Sequence, residues 1–293
     1  MTGPTFTMLA PAKVNLSLRI TGRRADGYHL LDSLVAFTDF GDRLSVSPSN
    51  DITFSITGPF AGIVPADASN LVVKAAEALA DRFDIPAGLG ASLTLSKELP
   101  AAGGIGGGSA DAASALRLLC DLWDIDPDHP ALPGVALSLG ADIPVCLRGR
   151  ACRMSGIGET LSPIPPLPSL GIVLVNPGAP CPTPAVFKAR VGSFSPAASS
   201  IPDAWDRETV LAFLADEPND LTDAAVTVCP EIKTILTAFS TLPSCRLARM
   251  SGSGATCFGL FDTADSAQAA ATALARDPAV PDAWWIKAGQ LVS

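Results

Sequence analysis

The stretch PAAGGIGGGSADAAS, residues 100–114, sets five glycines within six positions, Gly103 to Gly108. Glycine loses more conformational freedom on folding than any other residue, so a cluster of this kind needs a backbone reason. The alternating run ASLTLSKEL (91–99) leads into it and reads as a strand. Behind it, SADAASALRLLCDLWDI (109–125) reads as a helix capped by Ser109, with Ala113, Leu116, Cys120 and Trp123 on one face. Strand, glycine turn and helix start in that order leave two readings. One is a plain tight turn. The other is a cradle in which unpaired N–H groups and the positive end of the helix take up an anion such as phosphate. Two common phosphate templates fail. No lysine follows the glycines as a Walker A loop requires, and GxGxxG breaks because Gly104-Ile105-Gly106 runs into Gly107-Gly108-Ser109. Asp111 falls in the expected first helical turn, where it either complements the helix dipole or assists a metal ion.

Composition narrows the setting. A chain of 293 residues, 48% of them apolar, has the length for two domains with cores. A formal net charge of −9 argues against non-specific binding to nucleic acid or to acidic membranes, while leaving room for a local basic pocket. The seven cysteines never form CxxC and are odd in number, which reads as reduced, mostly buried thiols. With two histidines, neither a zinc site nor a Cys–His pair through His29 or His129 is expected. No basic segment followed by an apolar core opens the sequence, and the apolar stretch 161–180 is cut by prolines. A cytoplasmic protein that neither enters membranes nor binds nucleic acid is the expectation.

Along the chain, KVNLSLRI (13–20), DRLSVSP (42–48) and ITFSIT (52–57) alternate like strands, and Asn70 is placed to cap a helix over the next turns. The proline-rich stretch 162–168 suggests a boundary between domains at 1–161 and 162–293. Beyond it come a strand GIVLVNP, a helix near Pro184–Ala189 and an irregular segment at 193–202. Helices follow at 207–215, 219–227 and 230–241, then strands at 246–251 and 255–261, an alanine-rich helix and a final strand WWIKAGQL. Strands and helices mix without regular βα alternation, so the class is α+β.

Two further stretches place polar groups among apolar ones. Lys13 and Asn15 in APAKVNLSLRI are two residues apart and share one strand face. Asp142 in GADIPVC lies among small and apolar residues, where a buried carboxylate paired with a lysine would stay ionised and could take a proton from an alcohol.

Taken in order, PAAGGIGGGSADAAS, APAKVNLSLRITGRRADGYHLLDS, GADIPVC and RMSGSGATCFGLF resemble the motifs of the GHMP kinases across nearly the whole chain. That resemblance implies a two-domain fold, with an N-terminal domain like ribosomal protein S5 domain 2 and a ferredoxin-like C-terminal domain. It implies transfer of the γ-phosphoryl of ATP to an alcohol, with Mg²⁺ as the expected companion ion, although no carboxylate here has a spacing that marks it as the metal ligand. Carried over by motif, Asp142 would be the general base and Lys13 its charged neighbour, with Asn15 orienting the acceptor hydroxyl. Pro100, Ala101, Ala102, Gly103, Gly104, Ile105, Gly106, Gly107, Gly108 and Ser109 would hold ATP, with Lys97 also on that side. Asn70 and Asn219-Asp220 match further family positions, and their plainer roles are a cap or a solvated face. Tyr28 and His29 would recognise cytosine, Phe187 would stack on its opposite face, and Thr183 would touch the substrate. The implied partners are therefore ATP and a cytidine diphospho-alcohol, in a monomer or homodimer. The loop 250–255 is expected to pack beside the phosphate loop. Ala110 stands where a second serine is usual, which removes one hydroxyl and leaves the backbone cradle. The alternatives are a GHMP kinase for a smaller alcohol, such as homoserine or mevalonate, and a non-catalytic nucleotide-binding relative.

Overall fold

In the computed structural model, which describes residues 3–101 and 103–292, the strands in chain order are β1 (Phe6–Asn15), β2 (Arg19–Arg23), β3 (His29–Ser49), β4 (Thr53–Thr57), β5 (Gly90–Ser96), β6 (Cys152–Gly156), β7 (Thr160–Pro163), β8 (Gly171–Asn176), β9 (Leu247–Met250), β10 (Cys257–Phe261) and β11 (Trp285–Val292). The helices are α1 (Leu71–Arg82), α2 (Gly107–Trp123), α3 (Leu132–Leu139), α4 (Ile143–Arg148), α5 (Thr183–Ala189), α6 (Arg207–Asp216), α7 (Thr222–Val228), α8 (Glu231–Ser240) and α9 (Ala264–Arg276). This is the mixed α+β class expected.

The chain forms two compact units that interleave along the sequence. One comprises 1–12, 40–101 and 106–149; the other comprises 13–39, 102–105 and 150–293. The segment 13–39 joins the second unit because the first part of β3 pairs with β2 on one side and with β6 on the other. The proline-rich stretch 162–168 lies inside that unit.

In the first unit, the second part of β3 pairs antiparallel with β5, and β5 pairs parallel with β4. Helices α1 to α4 pack on one another, α1 against α2 and α3, α4 against α2 and α3. Asn70 caps α1 as expected, accepting from Val72 N at 2.9 Å. Helix α2 departs from expectation at its start. It begins at Gly107, two residues before Ser109, with Gly106 in the left-handed region (φ 63°) and no side-chain cap. Asp111 consequently falls past the first turn. Ala113, Leu116 and Cys120 are buried, and Trp123 is partly so. Helix α3 had no separate signal; its segment LPGVALSL is apolar nearly throughout and shows no clean periodicity.

In the second unit, β3, β11, β8, β10 and β9 lie side by side in that order, antiparallel throughout. All six residues of β8 are buried, as its unbroken apolar run GIVLVN suggests for a central strand. Its core combines Val173, Val175, Cys257 and Phe261 from the strands with Val186 of α5, Ile232 and Phe239 of α8 and Leu274 of α9. The run 13–20 is broken after Asn15, where β1 stops and β2 begins at Arg19. Residues 193–202 carry no helix or strand, as expected.

Candidate active site

The glycine stretch divides by what each glycine meets. Its first part belongs to the second unit. A Cβ on Gly103 would lie 2.7 Å from Thr256 Oγ1 and 2.8 Å from Asn176 Nδ2. On Gly104, with φ +74°, it would lie 2.5 Å from the Ser251 carbonyl oxygen. These two glycines are there for packing against the loop 250–255. Thr256 N donates to Gly103 O at 3.0 Å, and Ser251 Oγ donates to Gly104 O at 2.9 Å. Asn219 is buried, not solvated, and fixes the same loop by donating to Met250 O and Gly252 O. Its neighbour Asp220 accepts from Ile20 N at 2.7 Å.

Lys13 joins this arrangement. Its backbone N–H donates to Ile105 O at 2.9 Å, and its buried ammonium donates to Asn15 Oδ1 at 3.0 Å. Asn15 Nδ2 donates to Ser33 Oγ at 2.8 Å, and Ser33 Oγ donates to Ser17 O at 2.6 Å. Asn15 N donates to Ser251 Oγ at 3.1 Å, and that hydroxyl in turn donates to Gly104 O. The expected shared strand face of Lys13 and Asn15 is thus realised, inside a network that fixes the backbone of the glycine stretch. Ser17, Ser33 and Ser251 carried no signal of their own, since a lone serine in a strand is compositionally ordinary.

The second part of the stretch, from Gly106 on, belongs to the first unit and stands over a buried ionic group. Lys97 is 2% exposed, and its ammonium lies 2.5 Å from Asp42 Oδ2 and 2.7 Å from Asp111 Oδ2. Asp42 Oδ1 also accepts from Glu98 N and Leu99 N. A Cβ on Gly107 would sit 3.2 Å from Lys97 Nζ. The Lys97 side chain therefore belongs beneath the start of α2, not on a solvated face. One ammonium can balance one carboxylate, and Asp111 is the surplus one. Burial pushes it up to about 8, with Lys97 opposing and the Asp42 charge adding. Its Oδ1 has no hydrogen-bond partner among the described residues. Gly108 is exposed, and a Cβ there would meet only Leu71 Cδ1 at 3.7 Å. Of the loop residues named from sequence, Pro100 and Ile105 are buried, Ala101 and Ser109 are half-buried, and Ala102 lies outside the described residues.

Asp142 stands immediately before α4 with helical backbone angles, and it is half-buried where the sequence suggested a buried carboxylate. The small residues around it, Gly140 and Ala141, line a turn between α3 and α4, and a turn keeps its residues nearer solvent than a strand interior. Asp142 lies in the first unit and Lys13 in the second.

The remaining residues cluster at the β2–β3 turn. Arg24 N donates to Tyr28 O, Gly27 N donates to Arg24 O, and Gly27 takes φ +94°, which explains a glycine before Tyr28. Tyr28 is 61% exposed. His29 stacks on Phe187 with ring centroids 4.7 Å apart and planes 25° apart, and Phe194 meets His29 edge-on at 6.5 Å. Phe187 therefore stacks on His29, the neighbour of Tyr28 in the chain. Phe187 also packs on the core of the second unit, and His29 covers its outer face. Burial, with Arg23 and Arg190 adding, holds His29 below the usual imidazole value. Thr183, the first residue of α5, shares a 2.7 Å hydrogen bond with Ser253 Oγ.

Among the described residues no three His, Cys, Asp or Glu side chains come together as a metal site. Asp111, the carboxylate nearest the glycine stretch in sequence, is engaged with Lys97 through Oδ2. All seven cysteines are free and burial raises the thiols of Cys120 and Cys229 to about 11 and about 12. His129 accepts from Ala131 N through Nδ1 and meets the Phe83 ring edge-on, a role in packing.

The family model for the GHMP kinases N terminal domain matches residues 70–150, and that for the GHMP kinases C terminal region matches 208–279. The chain belongs to the GHMP kinase family. It is 50% identical over 289 residues, 99% of both chains, to the 4-diphosphocytidyl-2-C-methyl-D-erythritol kinase of Paramagnetospirillum magneticum. It is also 50% identical over 287 residues to the kinase of the same name from a Jannaschia species, covering 98% of this chain and 97% of that one. A crystal structure of 4-(cytidine 5'-diphospho)-2C-methyl-D-erythritol kinase superimposes with a TM-score of 0.79 at 34% identity, covering 98% of this chain and 100% of the other.

As a GHMP kinase the protein is an ATP-dependent phosphotransferase. The N-terminal family model contains the glycine stretch from end to end and includes Lys97, Asp111 and Asp142; Lys13, Asn15, Tyr28 and His29 lie before it. No helix among the described residues is long and apolar enough to cross a membrane.

Proposed function

We propose that this GHMP kinase phosphorylates the 2-hydroxyl of 4-diphosphocytidyl-2-C-methyl-D-erythritol with ATP, giving the 2-phosphate and ADP, a step in making isoprenoid precursors. The substrate is that of the relatives sharing half of its residues over nearly their whole length. The structural observation that carries the reading is the Lys13–Asn15 pair, whose hydrogen bonds run through Ser251 to the backbone of Gly104. A buried ammonium held in fixed relation to a glycine loop is what phosphoryl transfer asks for, since that reaction depends on positioning and charge neutralisation.

In the proposed mechanism, the backbone from Gly106 to Ser109 faces the ATP phosphates at the start of α2. Asn15 orients the acceptor hydroxyl, and Lys13 offsets charge on the transferring phosphoryl. The hydroxyl oxygen attacks the γ-phosphorus as its proton passes to the Asp142 carboxylate; the bond to the β-phosphate oxygen breaks and ADP leaves. Mg²⁺ would travel with ATP, and no step is assigned to it. Tyr28 offers an exposed ring for the cytosine, His29 a neutral imidazole that can donate and accept, and Phe187 holds the His29 plane. Thr183 contacts the substrate through its hydroxyl. The enzyme is taken as a monomer or homodimer, and small anionic substrates fit a cytoplasmic location.

A coupled ADP-release assay with the cytidine diphospho-alcohol, homoserine and mevalonate as acceptors tests the reading. Turnover is expected with the first alone, and Asp142→Asn should lower kcat by about 10²–10⁴-fold while substrate still binds. Turnover of a small alcohol in preference to the cytidine compound would replace the proposed substrate, and an unchanged kcat would remove Asp142 from the base role.

A further inference from the structure

The second unit contains two kinds of arginine. Arg153 and Arg19 are tied to buried carboxylates, Arg153 to Asp32 at 2.5 Å and Arg19 to Glu217 at 2.5 Å. Arg23 and Arg190 form no ion pair among the described residues, in a chain whose formal charge is −9. Both stand at the aromatic cluster. Arg23 is directly opposite His29 across the β2–β3 pair, so the two side chains leave the same face. It is exposed and spends only Nε on its surroundings, donating to Gly27 O at 3.1 Å beside Tyr28. The Arg190 guanidinium carbon lies 5.3 Å from the centroid of the Phe194 ring, which in turn meets His29 edge-on.

Arg190 is placed by built structure. It closes α5, its Nη2 donates to Ser193 O at 2.6 Å, and its buried Nε has no partner among the described residues. The segment after it is pinned to the neighbouring strands. Ser195 N donates to Ile20 O, Ala198 N to Asp32 Oδ2 and Ser199 N to Glu217 Oε1. The only carboxylate in the β2–β3 turn, Asp26, is taken by Arg24 at 2.8 Å and by Tyr28 N.

We propose that Arg23 and Arg190 are the anion-holding half of the nucleoside site and grip the diphosphate of a cytidine diphosphate ligand whose base lies against Tyr28 and His29. The inference rests on the cytidine reading above and adds to it which side chains bind the charge. A guanidinium suits the task because it stays charged and offers paired donors to phosphate oxygens. With His29 held below its usual value, the positive charge of the site comes from the arginines and leaves the imidazole neutral for the base edge.

The test is calorimetric titration of CDP and of cytidine into the full chain and into Arg23→Gln, Arg190→Gln and the double variant, with Arg23→Lys and Arg190→Lys alongside. These side chains are exposed or half-buried, so folding should survive, and a thermal melt of each variant checks it. The unaltered chain should bind CDP at least about tenfold more tightly than cytidine, each glutamine variant should lose about five- to tenfold for CDP, and the double variant should bind the two nearly alike. Cytidine affinity should hold, and the lysine variants should recover part of the CDP preference. A double variant that keeps the full preference, or an unaltered chain that binds CDP no better than cytidine, overturns the diphosphate assignment alone. An unaltered chain that binds neither ligand overturns the cytidine reading as well.

Discussion

At the glycine stretch the groups around the backbone are buried and engaged with one another. Gly103 and Gly104 are locked against the 250–255 loop, Lys13 reaches the same backbone through Asn15 and Ser251, and Lys97 is clasped by two carboxylates beneath α2. At the β2–β3 turn the pattern is reversed. Tyr28 and Phe194 are exposed, Arg23 and Arg190 have no carboxylate partner among the described residues, and His29 rests on Phe187. On the proposed function the contrast separates two tasks: a phosphoryl donor needs backbone donors held in place beforehand, and a nucleotide-bearing acceptor needs exposed rings and charge whose interactions the ligand completes.

The two regions should consequently respond to substitution in different currencies, one in stability and one in selective affinity. Tyr28→Ala should raise KM for the cytidine substrate by about 10- to 100-fold, the worth of a stacked base, and leave KM for ATP and the thermal midpoint unchanged. A loss for ATP alone would place Tyr28 on the donor side and erase the distinction. Steady-state kinetics with each substrate varied in turn reads this directly.

A smaller effect sharpens the buried side. Asp111 releases its proton near 3.8 in the unfolded chain and near about 8 in the folded one. Between those values the folded chain binds the extra proton, so this group's contribution to stability is present at low pH and is lost as pH rises toward 8. Asp111→Asn carries no such proton. Denaturant unfolding of both proteins across that window should show the stability of the native chain, relative to the variant, declining as pH rises. Parallel curves would mean that Asp111 is ionised throughout.

Much of this was legible in the sequence, and for identifiable reasons. The glycine cluster, the Asn70 cap, the Lys13/Asn15 spacing and β8 are local signals: a turn chemistry, a cap, a two-residue period, an unbroken apolar run. What escaped depends on residues far apart in the chain. Asp42 meets Lys97 across 55 positions and Asn15 meets Ser251 across 236, and no spacing rule links them. The start of α2 moved because a left-handed Gly106 can end the loop without a serine cap. The stacking of Phe187 on His29 has no local signal, because an aromatic face at the edge of a core is covered by whatever neighbour reaches it. The interleaved units were hidden for the same reason as the buried ion group, since strand pairing between 13–39 and 150–163 leaves no trace in composition.

The division within the glycine stretch is the claim on which the account turns, and calorimetric titration of Gly108→Ala with ATP and with CDP tests it most directly. A Cβ at 108 makes ordinary contact with Leu71, so the fold should be unharmed, whereas the same change at Gly104 would drive a Cβ to 2.5 Å from the Ser251 carbonyl and lower the thermal midpoint. Gly108→Ala should melt like the native chain, bind CDP normally and bind ATP about tenfold or more weakly, since on the proposed function its new methyl would stand where phosphate approaches the helix start. Unchanged ATP affinity, or equal losses for ATP and CDP, would contradict it.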